Sequence, residues 1–238
     1  MMLSYQLVRN YWESNFFQRE IARLNFTERA LSQPHFADFD LIQCKLALSE
    51  HEKKALLTVL GFEQVEGETD YCWQLEPSSS TALCFGREQD IDALQQLVVG
   101  AFADSRFRSP WFSAEENARF YQCWIEKAVQ GTFDDACLLL KEGAQIKGAI
   151  SLRQLDCENA RVGLLVVNPH YRGQGIAQQL LSQAHSWCAQ KGLTQLWIAT
   201  QQSNVAANRL YQKIGARIAG EAAWFYKQMN KDKHHDRI

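Results

Sequence analysis

The stretch Val162-Gly163-Leu164-Leu165-Val166-Val167-Asn168-Pro169-His170-Tyr171-Arg172-Gly173-Gln174-Gly175-Ile176-Ala177 decides how this chain is read. An apolar run of strand length stops at Pro169, and a short loop carrying Gly173 and Gly175 opens an amphipathic helix. Glycine lets the backbone turn sharply and lets a ligand approach the main chain. Free loop N–H groups and a helix N-terminus together make an anion site suited to a pyrophosphate. A plain strand-to-helix turn is the alternative. A dinucleotide fingerprint needs a third glycine where Gln178 stands, and a P-loop needs Gly-Lys-Ser/Thr, which is absent. The succeeding helix repeats Ile176, Leu180, Leu181, Ala184, Trp187 and Cys188 along one face, with Gly192 as its stop.

Further along, Leu196–Thr200 reads as a short buried strand. Asn204 then caps a helix running through Ala207, Asn208, Leu210 and Tyr211 to Ile214, closed by Gly215. Arg172-x-x-Gly175-x-Ala177 followed by Asn204-x-x-Ala207-x-x-x-Tyr211-x-x-x-Gly215 resembles the paired signatures of the GNAT acetyltransferases. The resemblance implies an α/β (α+β) fold, a mixed and mostly antiparallel sheet flanked by helices, with acetyl-CoA as co-substrate. It places the pyrophosphate on Arg172, Gly173, Gln174, Gly175, Ile176 and Ala177. The backbone of Leu165, Val166 and Val167 would polarise the thioester carbonyl, and Asn204, Ala207 and Tyr211 would contact CoA. Tyr211, near the CoA sulfur, is the expected general acid, because a phenol of pKa about 10 keeps its proton at neutral pH. The other readings are plain: a core tyrosine, a helix cap at Asn204, and β-core at Leu165–Val167.

Glu76-Pro77-Ser78-Ser79-Ser80-Thr81 is the low-complexity patch, so the expected division is 1–76, a small N-terminal α/β domain, and 77–238, the GNAT domain. Strands are expected at Tyr5–Val8, Glu20–Phe26, Leu41–Leu48 and Phe62–Leu75, with a helix over Glu50–Leu60. After the linker come a strand at Ala82–Gly86, a helix over Asp90–Phe102, and a helix to Gln130 opened by a Ser113-x-x-Glu116 capping box. Antiparallel strands come next at Cys137–Leu140, Ile146–Leu155 and Arg161–Val167, and a last strand lies near Trp224–Lys227.

Several stretches narrow the resemblance: Trp12-Glu13-x-x-Phe16-Phe17, Leu60-Gly61-Phe62, Val65-Glu66-Gly67-Glu68-x-Asp70, Ser105-Arg106-Phe107-Arg108-x-Pro110-Trp111, Phe120-Tyr121-x-x-Trp124-Ile125 and Gly131-Thr132-Phe133-Asp134. They are similar to the fucosamine-type sugar-nucleotide acetyltransferases over nearly the whole chain. That family acetylates the 4-amino group of dTDP-4-amino-4,6-dideoxygalactose on the route to enterobacterial common antigen. A dTDP-aminosugar partner and a homodimer are implied in turn. Glu68 is the candidate base, through water, or else a solvated strand carboxylate; Asp134 is a weaker candidate. Ser105, Arg106, Phe107, Arg108 and Trp111 form the candidate nucleotide-sugar loop, arginines forking to the diphosphate and aromatics stacking on thymine. A basic loop anchored by two aromatics is the alternative.

Apolar residues make up 46% of the 238 residues, enough for a packed core, and the net charge of −2 gives no nucleic-acid footprint. The seven cysteines show no C-x-x-C pair and read as reduced thiols of a cytoplasmic protein. No histidine cluster suggests a metal, and neither a signal peptide nor a membrane span is expected. Two other functions fit the GNAT signatures alone: acetylation of a protein, peptide or other small amine, and a non-catalytic acyl-CoA-binding module.

Overall fold

The computed structural model describes residues 3–28, 35–77 and 82–229. The elements are β1 (Ser4–Arg9), α1 (Tyr11–Phe17), β2 (Ile21–Thr27), β3 (Leu41–Ala47), α2 (His51–Val59), β4 (Glu63–Gln74), α3 (Ile91–Val98), α4 (Ala114–Gln130), β5 (Ala136–Glu142), β6 (Gln145–Gln154), β7 (Asn159–Val167), α5 (Ile176–Gln190), β8 (Gln195–Gln201), α6 (Val205–Lys213) and β9 (Arg217–Gln228). The class is α/β, with a mixed sheet flanked by helices. The chain divides into two compact units, 1–68 with 221–238, and 69–220. Both breaks fall inside strands, β4 and β9, rather than at the expected 76/77 boundary, whose serine run (78–81) lies outside the described residues.

In the first unit the strand order is β1-β2-β3-β9-β4. β1 pairs antiparallel with β2, β2 parallel with β3, and β3 antiparallel with β9 from Leu41–Gln228 to Ala47–Ala222. That last pairing is why the C-terminal strand belongs with the N-terminal segment. Leu24, Ile42, Leu46, Leu57, Phe62 and Phe225 form its core. Helix α1 is an element that the sequence patterning did not predict. Asn10 caps it, accepting from the Glu13 N–H at 3.3 Å, and Trp12 stacks on Phe16 at 5.2 Å, one turn apart.

In the second unit the order is β4-β8-β7-β6-β5. β5, β6 and β7 are antiparallel, as expected, and β7 runs parallel to β8. Alternation along β6 assigns the faces. Ile150 and Leu152 join the cluster built with Ile176, Leu180, Leu181, Ala184, Trp187 and Cys188 of α5. Gly148 is on the same side, where a Cβ would meet Leu180 and Ile176 at 3.0 and 3.1 Å. Ser151 and Arg153 face the other way, toward Asp134, which also bonds to Trp124 of α4. The sheet therefore lies between α5 and α4.

The capping box forms as read: the Glu116 N–H donates to Ser113 Oγ at 3.1 Å, and the Ser113 N–H to Glu116 Oε2 at 2.7 Å. Two expectations shorten. The helix over 90–102 ends at Val98, because Gly100 turns the chain at φ +71°. The strand expected at Ala82–Gly86 reduces to a bridge between Phe85 and Leu138, bracketed by N–H···O bonds from Gly86 to Cys137 and from Leu139 to Cys84.

Candidate active site

Strand β7 is not regular. Its pairing with β6 runs from Gly148–Val167 to Ile150–Leu165 and then jumps to Leu152–Val162, so Gly163 and Leu164 together oppose Ser151. This is a β-bulge, which bends a strand and re-aims the residues beyond it. Its effect on side chains is visible. Val162 and Leu165, three residues apart, both reach the α5 cluster, whereas strict alternation would send Leu165 to the opposite face.

Beyond the bulge, β7 leaves β8. Their parallel pairing covers Asn159–Gln195, Ala160–Leu196 and Arg161–Trp197 and then stops, although β7 continues to Val167 and β8 to Gln201. The Leu164 N–H bonds Ser151 Oγ on β6 at 2.8 Å, and the Asn168 N–H bonds the Lys147 carbonyl at 2.9 Å. Alternation between those two amides turns the Leu165 and Val167 N–H groups away from β6, to the side from which β8 has diverged. A strand that diverges from its neighbour presents such amides to a ligand.

The glycine loop starts where β7 ends. Asn168 anchors it, accepting from the His170 N–H at 3.1 Å and donating to the Ile146 carbonyl at 3.2 Å. Gly173 and Gly175 both take φ +76°, the left-handed region that excludes most side chains. Gly175 is the N-cap of α5 and supplies no side-chain cap, so no side chain competes for the amides of the first helical turn. Arg172, Gly173, Gln174 and Gly175 are exposed; Ala177 is half-buried, and Ile176 is buried as the loop's apolar anchor.

On α6, Asn204 accepts from the Ala207 N–H at 3.1 Å, so its carbonyl acts as the cap and Ala207's amide is engaged. Tyr211 is buried, 4% exposed, with its ring edge-to-face on Tyr71 at 5.5 Å. Burial pushes its phenol above the ordinary tyrosine range, and the neighbouring Tyr71 adds to the shift. The Tyr71 hydroxyl donates to Asn208 Oδ1 at 2.8 Å, while Asn208 Nδ2 holds the carbonyls of Gln201 and Asn204 at 3.1 and 2.8 Å. Sequence reasoning singled out neither Tyr71 nor Asn208 for chemistry. The only signal available to it was Asn208 lying one turn after Asn204.

The remaining candidates divide. Glu68 belongs to the first unit, where its carboxylate accepts from Lys45 Nζ at 2.5 Å and from Trp224 Nε1 at 3.1 Å. Asp134 is 1% exposed, with Trp124, Ser151 and Arg153 all donating to it. Its lone pairs are committed, which argues against a role as base. In the 105–111 loop, Phe107 and Trp111 are buried at 3% and 8% exposure. Phe107 is enclosed by Phe112 and Phe120 at 5.2 and 4.1 Å and capped by the Arg106 guanidinium at 3.9 Å. Stacking on thymine is therefore closed to it, and these aromatics anchor the loop instead. Ser105 is buried and accepts from Asn117 Nδ2 at 3.2 Å; Arg108 bonds the Asp104 and Ser105 carbonyls at 2.7 and 3.0 Å. Among the described residues no group of three His, Cys, Asp or Glu side chains is placed to hold a metal, and no helix is long and apolar enough to cross a membrane.

Residues 99–216 match the model of the acetyltransferase (GNAT) family. The chain is 39% identical over 219 residues, 91% of its length and 95% of the relative's, to the dTDP-fucosamine acetyltransferase of Escherichia coli O6:H1 strain CFT073. The chain belongs to the GNAT acetyltransferase family. A shorter match, 28% over 39% of this GNAT chain and 63% of the relative, is to the ribosomal protein bS18-alanine N-acetyltransferase of Salmonella typhimurium LT2. Among solved structures, a GCN5-related N-acetyltransferase from Sphaerobacter thermophilus aligns over 79% of this chain and 59% of its own, with TM-score 0.58 and 18% identity. That likeness speaks to fold alone. As a GNAT enzyme the chain is an N-acetyltransferase, and the two stretches that resemble the family signatures fall on the glycine loop with the start of α5 and on α6 with its cap.

Proposed function

We propose that this enzyme moves the acetyl group of acetyl-CoA onto the 4-amino group of dTDP-4-amino-4,6-dideoxygalactose, in the assembly of enterobacterial common antigen. The observation that carries the acceptor is the 39% identity to a dTDP-fucosamine acetyltransferase across 91% of the chain. That span takes in the 105–111 loop, inside the family-matched segment, and Glu68, outside it. A cytoplasmic location and a homodimer belong to the same reading.

The pyrophosphate of acetyl-CoA sits on the Arg172–Ala177 loop, where the uncapped α5 amides and the Arg172 side chain meet its charge. The pantetheine arm runs along the open edge of β7. The thioester oxygen takes a hydrogen bond from the Leu165 or Val167 amide, so that charge developing on it is stabilised by a fixed dipole. The neutral amine attacks the carbonyl carbon directly, within a ternary complex. Breakdown of the tetrahedral species expels the CoA sulfur, which takes a proton from Tyr211. A buried phenol with a raised pKa is always protonated at working pH, but it is a weaker acid than a thiol. The net proton on sulfur therefore comes from the strongly acidic ammonium of the tetrahedral species, with Tyr211 as the donor in contact. Glu68 takes, through water, the proton that the ammonium form of the free substrate loses before the neutral amine attacks. Arg106, half-buried at the loop, is the group for the sugar-nucleotide diphosphate, while Phe107, Arg108, Ser105 and Trp111 hold the loop's shape.

The test is release of CoA thiol from acetyl-CoA with the dTDP-4-amino-4,6-dideoxygalactose acceptor, run beside its glucose epimer and an alanine-terminated peptide. Turnover with the galactose epimer, and little with the others, is expected. Preferential turnover of the peptide would transfer the assignment to the protein N-acetyltransferases suggested by the shorter match.

A further inference from the structure

The bulge that opens β7 has a built support. Gly163 lacks a side chain because none fits: a Cβ there would lie 2.3 Å from Asp134 Oδ2 and 2.6 Å from Ser151 Oγ. The carboxylate fills that space. Its Oδ2 accepts from Ser151 Oγ at 2.6 Å and from Trp124 Nε1 at 2.8 Å, and its Oδ1 accepts from Arg153 Nε and Nη2 at 3.1 and 2.9 Å. Ser151 Oγ, with its O–H donated to Asp134, is left to act as an acceptor, and it receives the Leu164 N–H at 2.8 Å. The hydroxyl is thus oriented by the carboxylate, and the bulged amide by the hydroxyl. Ser151 and Asp134 are fully buried, so no water competes for these bonds. The next amide along, that of Leu165, faces the open side of the strand.

We propose that Asp134 and Ser151 are positioning residues for acetyl transfer: through the Leu164 amide they hold the bulge that aims the Leu165 and Val167 N–H groups at the thioester oxygen. The inference rests on the acetyl-CoA reading given above. Neither side chain touches the reacting atoms. Asp134 acts on Ser151, Ser151 on the Leu164 backbone, and the backbone on the carbonyl. Arg153 occupies the other carboxylate oxygen, which leaves Oδ2 for the Ser151 proton. An amide at 134 could offer its N–H₂ to Ser151 instead, which would leave the hydroxyl free to rotate and the Leu164 amide without a fixed partner.

The experiment compares Ser151→Ala with Trp124→Phe in the full-length enzyme. Each removes one hydrogen bond to Asp134, but only the first also removes a bond to β7, that from the Leu164 N–H to Ser151 Oγ. The primary readout is the carbonyl stretch of bound acetyl-CoA carrying ¹³C in the thioester carbonyl, measured by difference infrared spectroscopy, which needs binding and not turnover. Wild type and Trp124→Phe should lower the frequency relative to free acetyl-CoA, and Ser151→Ala should abolish that shift while binding acetyl-CoA within about threefold of wild type. In parallel, kcat should fall tenfold or more in Ser151→Ala and less than threefold in Trp124→Phe, with equal losses of melting temperature tolerated in both. Asp134→Asn should behave like Ser151→Ala. An unshifted carbonyl in wild type with acetyl-CoA bound, or a shift retained in Ser151→Ala, overturns the proposal and leaves the acetyl-CoA reading standing. Wild type that does not bind acetyl-CoA overturns both. If Ser151→Ala does not fold, Asp134→Asn and Ser151→Cys supply the comparison, and parallel losses in these and in Trp124→Phe reduce the network to a structural role.

Discussion

Tyr211 shows how much one residue's environment changes its chemistry. Exposed tyrosine titrates near 10, while this one is pushed higher by burial and by Tyr71 beside it. An acid must be protonated to work, so a catalytic acid costs activity only as pH rises through its pKa. Raising that pKa moves the loss further into alkali. Activity of the wild type should therefore show no Tyr211-dependent fall up to about pH 9. Tyr211→Phe should keep acetyl-CoA affinity within about twofold and lose kcat by about a hundredfold or more. Unchanged turnover would remove Tyr211 from the mechanism. Gly163 is constrained as tightly, since substitution by alanine drives a methyl into Asp134. Urea unfolding of Gly163→Ala should show a loss of about 1–3 kcal/mol, the usual range for overpacking. Tyr211 stood out in the sequence because it lies in a stretch that resembles a family signature, and its role as acid rests on the proposal above. The reason for Gly163 was not, since its constraint comes from a carboxylate distant in sequence.

Among the elements, the loop and α5 were readable because their determinants are local: two glycines at positive φ, a proline before them, and an apolar face at helical spacing. Gly175→Val tests the loop, because it forces a β-branched residue to φ +76° at the N-cap. It should raise the KM for acetyl-CoA tenfold or more and change kcat little, because in the proposed complex the loop holds the pyrophosphate and not the acetyl group; steady-state kinetics with acetyl-CoA varied decides it. The bulge in β7 was less legible. Val162-Gly163-Leu164-Leu165-Val166-Val167 is apolar on both faces, so it carries no alternation in which a register slip could show. The Ser105–Trp111 loop misled in the opposite way. Its aromatics suggested ligand stacking, but Phe107 is spent on Phe112 and Phe120. A sequence gives the presence of a ring and not which of its faces is already covered.

For the whole molecule, the seven cysteines are all free: Cys44, Cys137 and Cys188 are buried, and Cys84 and Cys157 are exposed. Burial pushes each of the three buried thiols up to about 12, with the charge of Glu50 adding at Cys44 and that of Asp134 at Cys137. In the unfolded chain they titrate near 8.5–9. Between those values the folded state binds more protons than the unfolded state, so stability falls as pH rises, by up to about 1.4 kcal/mol per pH unit for each thiol. The urea midpoint should therefore drop from pH 8 to pH 10, and a level midpoint would contradict it. Native labelling should modify Cys84 and Cys157 first, and the three buried thiols only on unfolding. The division into units was the part of the architecture least open to sequence. The Pro-Ser run marked a boundary by composition, while the real grouping depends on β9 returning to β3, a pairing between opposite ends of the chain.

If acetyl leaves CoA for the 4-amino nitrogen of a dTDP-aminosugar, the product formed from ¹³C-carbonyl acetyl-CoA must carry the label there. A heteronuclear correlation spectrum should join the labelled carbonyl through the amide to the proton at C4 of the galactose-configured sugar, in stoichiometric amount with free CoA. Label found on water as acetate, on the protein, or on a different amine would contradict the assignment.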